Sequence, residues 1–256
     1  MHQIPGTESY SSAGRGDAAR TGVLVAHGIT ASPQSLGPVS RHLADLGYAV
    51  SAPLLPGHGT TWQDLARTRY ADWLGALEGA AVDLRSRVDR VVVLGLSMGG
   101  ALTTELAATR PDLVDGIVLL NPAFAADDPR LRLLPVLKHL LPTVGTIAND
   151  VRHPGEEQEL AYDRLPVRAF ASFAQRWPHL LTLAAQVRVP VLLVRSAHDR
   201  VVPARSSQLF LERVGSDDVT EVVLPDSGHV AALDRDAPLL LEHAAAFVAR
   251  VALVPR

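Results

Sequence analysis

Six short runs of valine, leucine and isoleucine constrain this chain more than any other feature. They are Val23–Ala26, Ala49–Leu55, Val91–Leu96, Ile117–Leu120, Val191–Val194 and Val219–Leu224. Most lack polar alternation. A strand that faces water on one side alternates, whereas a strand covered on both faces reads as a continuous apolar run. Longer stretches with helical periodicity lie between the runs: Leu36–Leu46, Trp62–Val88, Gly100–Thr109, Ser206–Val214 and Pro238–Ala252. This alternation predicts an α/β fold with a mostly parallel central sheet flanked by helices. A chain of 256 residues, 47% hydrophobic, is long enough to bury such a core as one unit.

One segment breaks the rhythm. From Asn121 to about Arg188 the pattern is helical, with no clear strand. It is too long for a plain crossover and reads as a helical insertion between two strands. The expected organisation is therefore a single domain over residues 1–256 with an inserted cap subdomain at 123–186. Within it Leu133, Leu134, Leu137, Leu140, Leu141 and Val144 recur at helical spacing. Such a row reads as a face packed on the main domain, or as an acyl-chain wall open to amphiphiles at a lipid surface. Met1 to Arg20 is polar and reads as loosely ordered or edge-like. It holds no apolar run resembling a secretory signal, so the expectation is a cytoplasmic protein. No apolar stretch reaches the length of a membrane span.

Composition removes several chemistries. Cysteine is absent, which excludes disulfides, thiolate nucleophiles and cysteine-ligated metals. The net charge of −3 does not favour nucleic acid as a partner.

The motif that carries chemistry is Gly95-Leu96-Ser97-Met98-Gly99-Gly100, between an apolar run and a helical stretch. In that setting G-x-S-x-G is a nucleophile elbow. The serine must sit in a positive-φ turn to lift its hydroxyl above the sheet, and the glycines let strand and helix approach without Cβ clashes. The helix that follows points its first amides at Ser97, which favours developing negative charge. The alternative is an ordinary glycine-rich turn.

A serine nucleophile needs a base, and the base an orienting acid; in such folds the order is serine, acid, histidine. Asp199, in Arg195-Ser196-Ala197-His198-Asp199, follows the run ending at Val194. His229, in Pro225-Asp226-Ser227-Gly228-His229, follows the run ending at Leu224. Both fall where ligand sites of open α/β sheets gather. Rival acids are Asp127, Asp128 and Asp226, and the bland reading of Asp199 is a carboxylate capping its own turn. His198 is a weak base candidate beside Asp199. His42, His139, His179 and His243 sit in helical patterns that more often mark surface, and His153 lies in the insertion. A tetrahedral intermediate also needs an oxyanion hole. The amides of Met98 and Ile29 are the expected donors, with Gly28 giving the backbone freedom to turn. His27 and His58 read as loop props, and Trp62, Tyr70 and Trp73 as core.

Together, His27-Gly28-Ile29, Pro56-Gly57-His58-Gly59, the Ser97 elbow, His198-Asp199 with Val202-Pro203, and Ser227-Gly228-His229 resemble the α/β-hydrolase superfamily over residues 21 to 252. The nearest likeness is to the small bacterial monoacylglycerol lipases and carboxylesterases. Where those read His-Gly-aromatic-Thr, this chain has Ile29. The resemblance implies a serine ester hydrolase of short to medium acyl chains, monoacylglycerols among them, working through an acyl-enzyme with no cofactor and no metal. It also places a glycerol-holding glutamate at Glu159, within Glu159-Leu160-Ala161-Tyr162-Asp163. Glu159, Leu137 and Ile147 are the candidate substrate-binding residues. The expected partner is a small acyl ester, with transient lipid-surface contact and an unassigned oligomeric state. A thioesterase, acyltransferase or perhydrolase on the same residues, and a non-catalytic binder on the same fold, stay open as alternatives.

Overall fold

A computed structural model describes residues 3–146, 149–153 and 157–253; Ile147 lies outside the described residues. The chain runs β1 (Tyr10–Ser12), β2 (Thr21–Ala26), α1 (Gly37–Asp45), β3 (Ala49–Ala52), α2 (Trp62–Leu65), α3 (Tyr70–Arg85), β4 (Arg90–Leu96), α4 (Met98–Thr109) and β5 (Gly116–Leu120). It continues through α5 (Leu134–Leu140), β6 (Thr143–Gly145), β7 (Arg164–Pro166), α6 (Val167–Ala174) and α7 (Trp177–Leu183). It closes with β8 (Val191–Ser196), α8 (Ala204–Leu211), β9 (Val219–Leu224) and α9 (Ala237–Leu253).

The main sheet has the order β1-β3-β2-β4-β5-β8-β9. Only β1 is antiparallel, against β3 at the edge. Successive side chains in each central strand point to opposite faces, and both faces are covered. Val91 and Val93 of β4 enter a core with Trp73 and Leu77 of α3 and Leu102 and Leu106 of α4. Val92 and Leu94 enter the other core, with Val39 and Leu43 of α1 and Leu240 and Val248 of α9. This is why the strand sequences show no polar alternation. The peripheral strand β9 is half exposed and carries Thr220 and Glu221 outward.

Three local readings need correction. The stretch Trp62–Val88 is two helices, because side chains compete for backbone groups at the join. The Thr68 hydroxyl donates to Leu65 O at 2.9 Å and ends α2. The Arg69 amide donates to Asp72 at 2.8 Å, which starts α3. The insertion is not purely helical, since β6 and β7 pair antiparallel with Thr143 opposite Pro166. Three-residue strands are too short to show alternation. Finally, the leucine row does not pack on the main domain. Leu134 meets Val167 and Ala171 of α6 in a small separate cluster, with Leu137 against it. Leu133, Leu140, Leu141 and Val144 are exposed, Leu140 by 70%. A seven-residue helix turns one narrow side to α6 and leaves the rest in solvent.

The insertion is tied to the core elsewhere. Glu105, buried in α4, pairs with Arg176 ahead of α7. The Arg176 guanidinium also lies 5.6 Å from the centre of the Tyr70 ring. Breaking a buried pair from one side strands a charge. Arg176 is partly exposed, so we expect Arg176→Ala to cost about 2 kcal/mol and lower the thermal midpoint by about 5 °C. Adding Glu105→Gln should restore part of that, and a single variant melting like wild type would exclude the coupling.

Candidate active site

Four parallel strands, β4, β5, β8 and β9, bring their carboxyl ends to one edge. At the end of β4 sits Ser97, with φ +57° and ψ −116°. Its amide donates to Leu120 O of β5 at 3.0 Å, and its carbonyl accepts the amides of Gly100 at 3.0 Å and Ala123 at 3.2 Å. The turn is therefore held from both neighbours while α4 starts directly behind it. The packing there excludes side chains. A Cβ on Gly95 would lie 2.2 Å from Gly99 O, and one on Gly99 would lie 2.0 Å from Ala26 O.

His229 follows β9 and Asp199 follows β8. His229 Nδ1 lies 2.7 Å from Asp199 Oδ2, with both side chains nearly buried. The other oxygen, Oδ1, accepts the amides of Val201 and Val202 at 2.8 Å. Asp199 thus caps its own turn with one oxygen and meets the imidazole with the other. The Ser97 hydroxyl makes no hydrogen bond to another described residue; serine–histidine contacts are often long without substrate and tighten in the complex. Burial acts to lower the His229 pKa. The charge and hydrogen bond of Asp199, with the charges of Glu159 and Asp150 behind, outweigh it and raise the pKa above its usual value.

Gly28 packs beside the elbow, where a Cβ would stand 3.5 Å from Ser97 Cβ. Among the described residues, the amides of Ile29 and Met98 donate no hydrogen bond, which leaves both for a ligand oxygen. Beneath this loop His27 donates from Nδ1 to Gly28 O at 2.9 Å and accepts the Leu55 amide on Nε2 at 3.1 Å. The His58 ring lies 4.8 Å away, edge-on.

The sequence profile described as serine aminopeptidase, S33, matches residues 17–236. The chain belongs to this family of α/β hydrolases. It is 34% identical over 230 residues to the thermostable monoacylglycerol lipase of Bacillus sp. (strain H-257), covering 90% of each protein. A structure reported for LipS and LipT, two metagenome-derived lipolytic enzymes, superposes with a TM-score of 0.91 at 35% identity, over 97% of this chain and all of that one. The monoacylglycerol lipase of Paleococcus ferrophilus shares the fold, with a TM-score of 0.78 at 22% identity over 95% and 99% of the two chains. This member of the family is a hydrolase of lipase or esterase type.

The hydrolase places the remaining candidates unevenly. Glu159 accepts the Ser35 hydroxyl at 3.0 Å and the Asn149 amide at 3.2 Å, and its charge reaches His229. Leu137 packs within the insertion, and Ile147 is outside the described residues. Asp127 pairs with Arg205 and Asp128 caps the turn before α5, while His198 is exposed. Among the described residues no cluster of three or more His, Asp or Glu could hold a metal ion, and no helix is long and apolar enough to cross a membrane.

Sequence reasoning missed Asn121. This buried residue has φ +44°, and its amide group donates to Ser196 Oγ at 3.0 Å and to His229 O at 2.8 Å. Its oxygen accepts the Ser196 amide at 2.7 Å. Asn121 therefore fastens the loop of His229 to the ends of β5 and β8. The available signal was an asparagine just past a buried run.

The two loop-propping histidines make a pH prediction. Burial pushes the His27 pKa down to about 4, with the Gly28 hydrogen bond opposing, and burial with the charge of His27 holds His58 well below the usual imidazole range. The unfolded chain then takes up these protons first as pH falls. Stability present above pH 6.5 is lost between about 6.5 and 4, by about 3 kcal/mol for His27. Thermal midpoints should fall across that window and fall less in His27→Gln; a flat wild-type curve from pH 7 to 4.5 would refute this.

Proposed function

We propose that this hydrolase cleaves carboxylic esters of short to medium acyl chains, monoacylglycerols among them, through a covalent acyl-enzyme on Ser97. The observation that carries the reading is the 2.7 Å contact between His229 and Asp199 at the sheet edge that also holds the positive-φ serine. In this mechanism His229 takes the Ser97 proton as the hydroxyl attacks the ester carbonyl. Asp199 holds the imidazole tautomer and stabilises the imidazolium. The amides of Ile29 and Met98 receive the oxyanion, where each such donor is worth about 10²–10³ in rate. His229 returns its proton to the leaving alcohol, and water admitted by the same base releases the acid.

Residues 123–186 form the cap over this site. The exposed Leu133, Val136, Leu140, Leu141 and Val144 support contact with a lipid surface through α5. The match to a monoacylglycerol lipase supports a small polar alcohol as leaving group. Glu159 is the residue that would hold its hydroxyls.

Ser97→Ala and His229→Ala should each lower kcat by about 10⁴ or more, and Ser97→Ala should abolish labelling by a fluorophosphonate. An alanine variant keeping most of its esterase activity would end the serine assignment. A profile over p-nitrophenyl esters of increasing chain length, 1-monoacylglycerols and triacylglycerols tests the substrate. Good short-ester turnover without monoacylglycerol turnover would reduce the reading to a general esterase. At pH 8 and above, Glu159→Gln should raise KM for 1-monoacylglycerols about tenfold and leave p-nitrophenyl butyrate nearly unchanged, the size expected for one charged hydrogen bond. Equal effects on both substrates would remove Glu159 from the glycerol site.

A further inference from the structure

Asp150 belongs to no motif. It lies in the insertion between β6 and β7, and its side chain is 1% exposed. Its Oδ2 accepts two backbone amides, that of Arg200 at 3.0 Å and that of His229 at 3.1 Å. Arg200 directly follows Asp199. One carboxylate oxygen therefore joins the loop of the acid to the loop of the base. Oδ1 accepts Arg200 Nε at 2.6 Å. The Asp150 carbonyl accepts the Val230 amide at 3.2 Å. Gly228 packs so tightly against that carbonyl that a Cβ there would lie 2.5 Å from it.

A second carboxylate returns the tie. Asp234, after the base loop, accepts the amides of Arg152 at 2.6 Å and Gly228 at 2.8 Å on Oδ2. On Oδ1 it accepts those of His153 at 2.9 Å and Arg235 at 2.8 Å. Segment 149–153 of the insertion is thus built into the base loop and not merely laid over it.

We propose that Asp150 is a positioning residue that sets the separation of the acid and base loops, making the insertion segment that carries it a working part of the catalytic apparatus. The proposal rests on the serine-hydrolase reading above. A fold that only needed the insertion closed could anchor it anywhere along the rim. Here the anchor is the main chain of the base itself and of the residue next to the acid. Small displacements of such groups from the reactive geometry carry large rate penalties.

The charges around His229 supply a readout that a merely structural role would not move. Asp199 faces it from the acid loop, and Glu159 and Asp150 from the insertion. Arg200 compensates Asp150 from its solvent side. Asp234 and Asp236, on the base's own segment, are engaged with backbone amides and Ser227. His229 must be neutral to accept the serine proton, so its titration sets the acidic limb of the pH–rate profile. Asp150→Asn removes a carboxylate that favours the imidazolium and shifts this limb to lower pH. Arg200→Gln leaves Asp150 uncompensated and shifts it to higher pH.

The experiment is the pH dependence of p-nitrophenyl butyrate hydrolysis by the full chain, as wild type, Asp150→Asn, Arg200→Gln and Ser97→Ala, each with its thermal midpoint. The expected result for Asp150→Asn is a kcat lowered about 10- to 100-fold with KM within about threefold. The rate of fluorophosphonate labelling falls in parallel, and the two limbs move in opposite directions. If Asp150→Asn does not fold, the upward shift in Arg200→Gln decides alone, and an unmoved limb overturns the proposal. Wild-type kcat and pH profile in Asp150→Asn, with Ser97→Ala inactive, also overturns it while the serine reading stands. Full activity in Ser97→Ala overturns both.

Discussion

Helix α4 approaches β2 and β4 so closely that only glycine fits at two positions, and the active-site edge depends on that approach. At Gly99 only a hydrogen fits beneath the Ala26 carbonyl, and at Gly95 only a hydrogen fits against the Gly99 carbonyl. With helix and strand this near, the connecting residue must turn through positive φ, and Ser97 does so at +57°. The strain costs on the order of 1–3 kcal/mol and persists only because the surroundings over-determine it. The amides and carbonyls of β5 and Ala123 that grip Ser97 are those surroundings. The same approach sets Met98 at the helix start and leaves room for Gly28 beside the serine.

Three buried histidines at this edge show how partners decide protonation. Burial acts on all of them in one direction, against the charged imidazolium. His27 and His58 meet only backbone groups, an aromatic ring and each other, so burial wins and both stay neutral. A neutral His27 is what the loop needs, since its Nε2 must accept the Leu55 amide. His229 is as deeply placed but faces three carboxylates, and there the outcome reverses. Its position is suited to a base whose imidazolium has to form transiently during a reaction. The same buried residue type thus has its pKa lowered or raised according to whether carboxylates surround it.

Local information explains what could be read from the chain alone. The runs around β2, β4, β5 and β8 are buried on both faces, so their continuity encodes the parallel sheet directly. The elbow glycines are forced by sterics over a few residues, Asp199 comes soon after the buried run of β8, and His229 soon after the half-exposed run of β9. The break between α2 and α3 was hidden because Thr68 and Asp72 act through side-chain hydrogen bonds that periodicity does not register. Asn121, Asp150 and Asp234 were hidden for a different reason. Each satisfies backbone groups far along the chain, Asp150 reaching from the insertion to residues 200 and 229, and only the folded arrangement brings those amides together. The row on α5 stayed ambiguous in the sequence because helical spacing states that a face exists, not what it meets.

That row also separates the two parts of the insertion. Helix α5 is held through Leu134 against Val167 and Ala171, with Val136 and Leu140 in solvent. The described residues 149–153 and 157–162 are woven in. Asp150 and the amides of residues 152 and 153 engage the base loop, and Gln158 and Leu160 exchange hydrogen bonds with Gln34. Tyr162 accepts the Thr60 amide at 2.8 Å and donates to Gly57 O at 3.0 Å, while its own amide donates to Thr30 O, in the loop that carries Ile29, at 2.9 Å. Changing the exposed Leu140 removes little packing, whereas changing the buried Asp150 or Tyr162 unsatisfies polar groups on the loops they join, which costs more per atom than lost apolar contact. One insertion therefore carries an exposed surface and a tied brace, and the two are separated by which backbone groups each one touches.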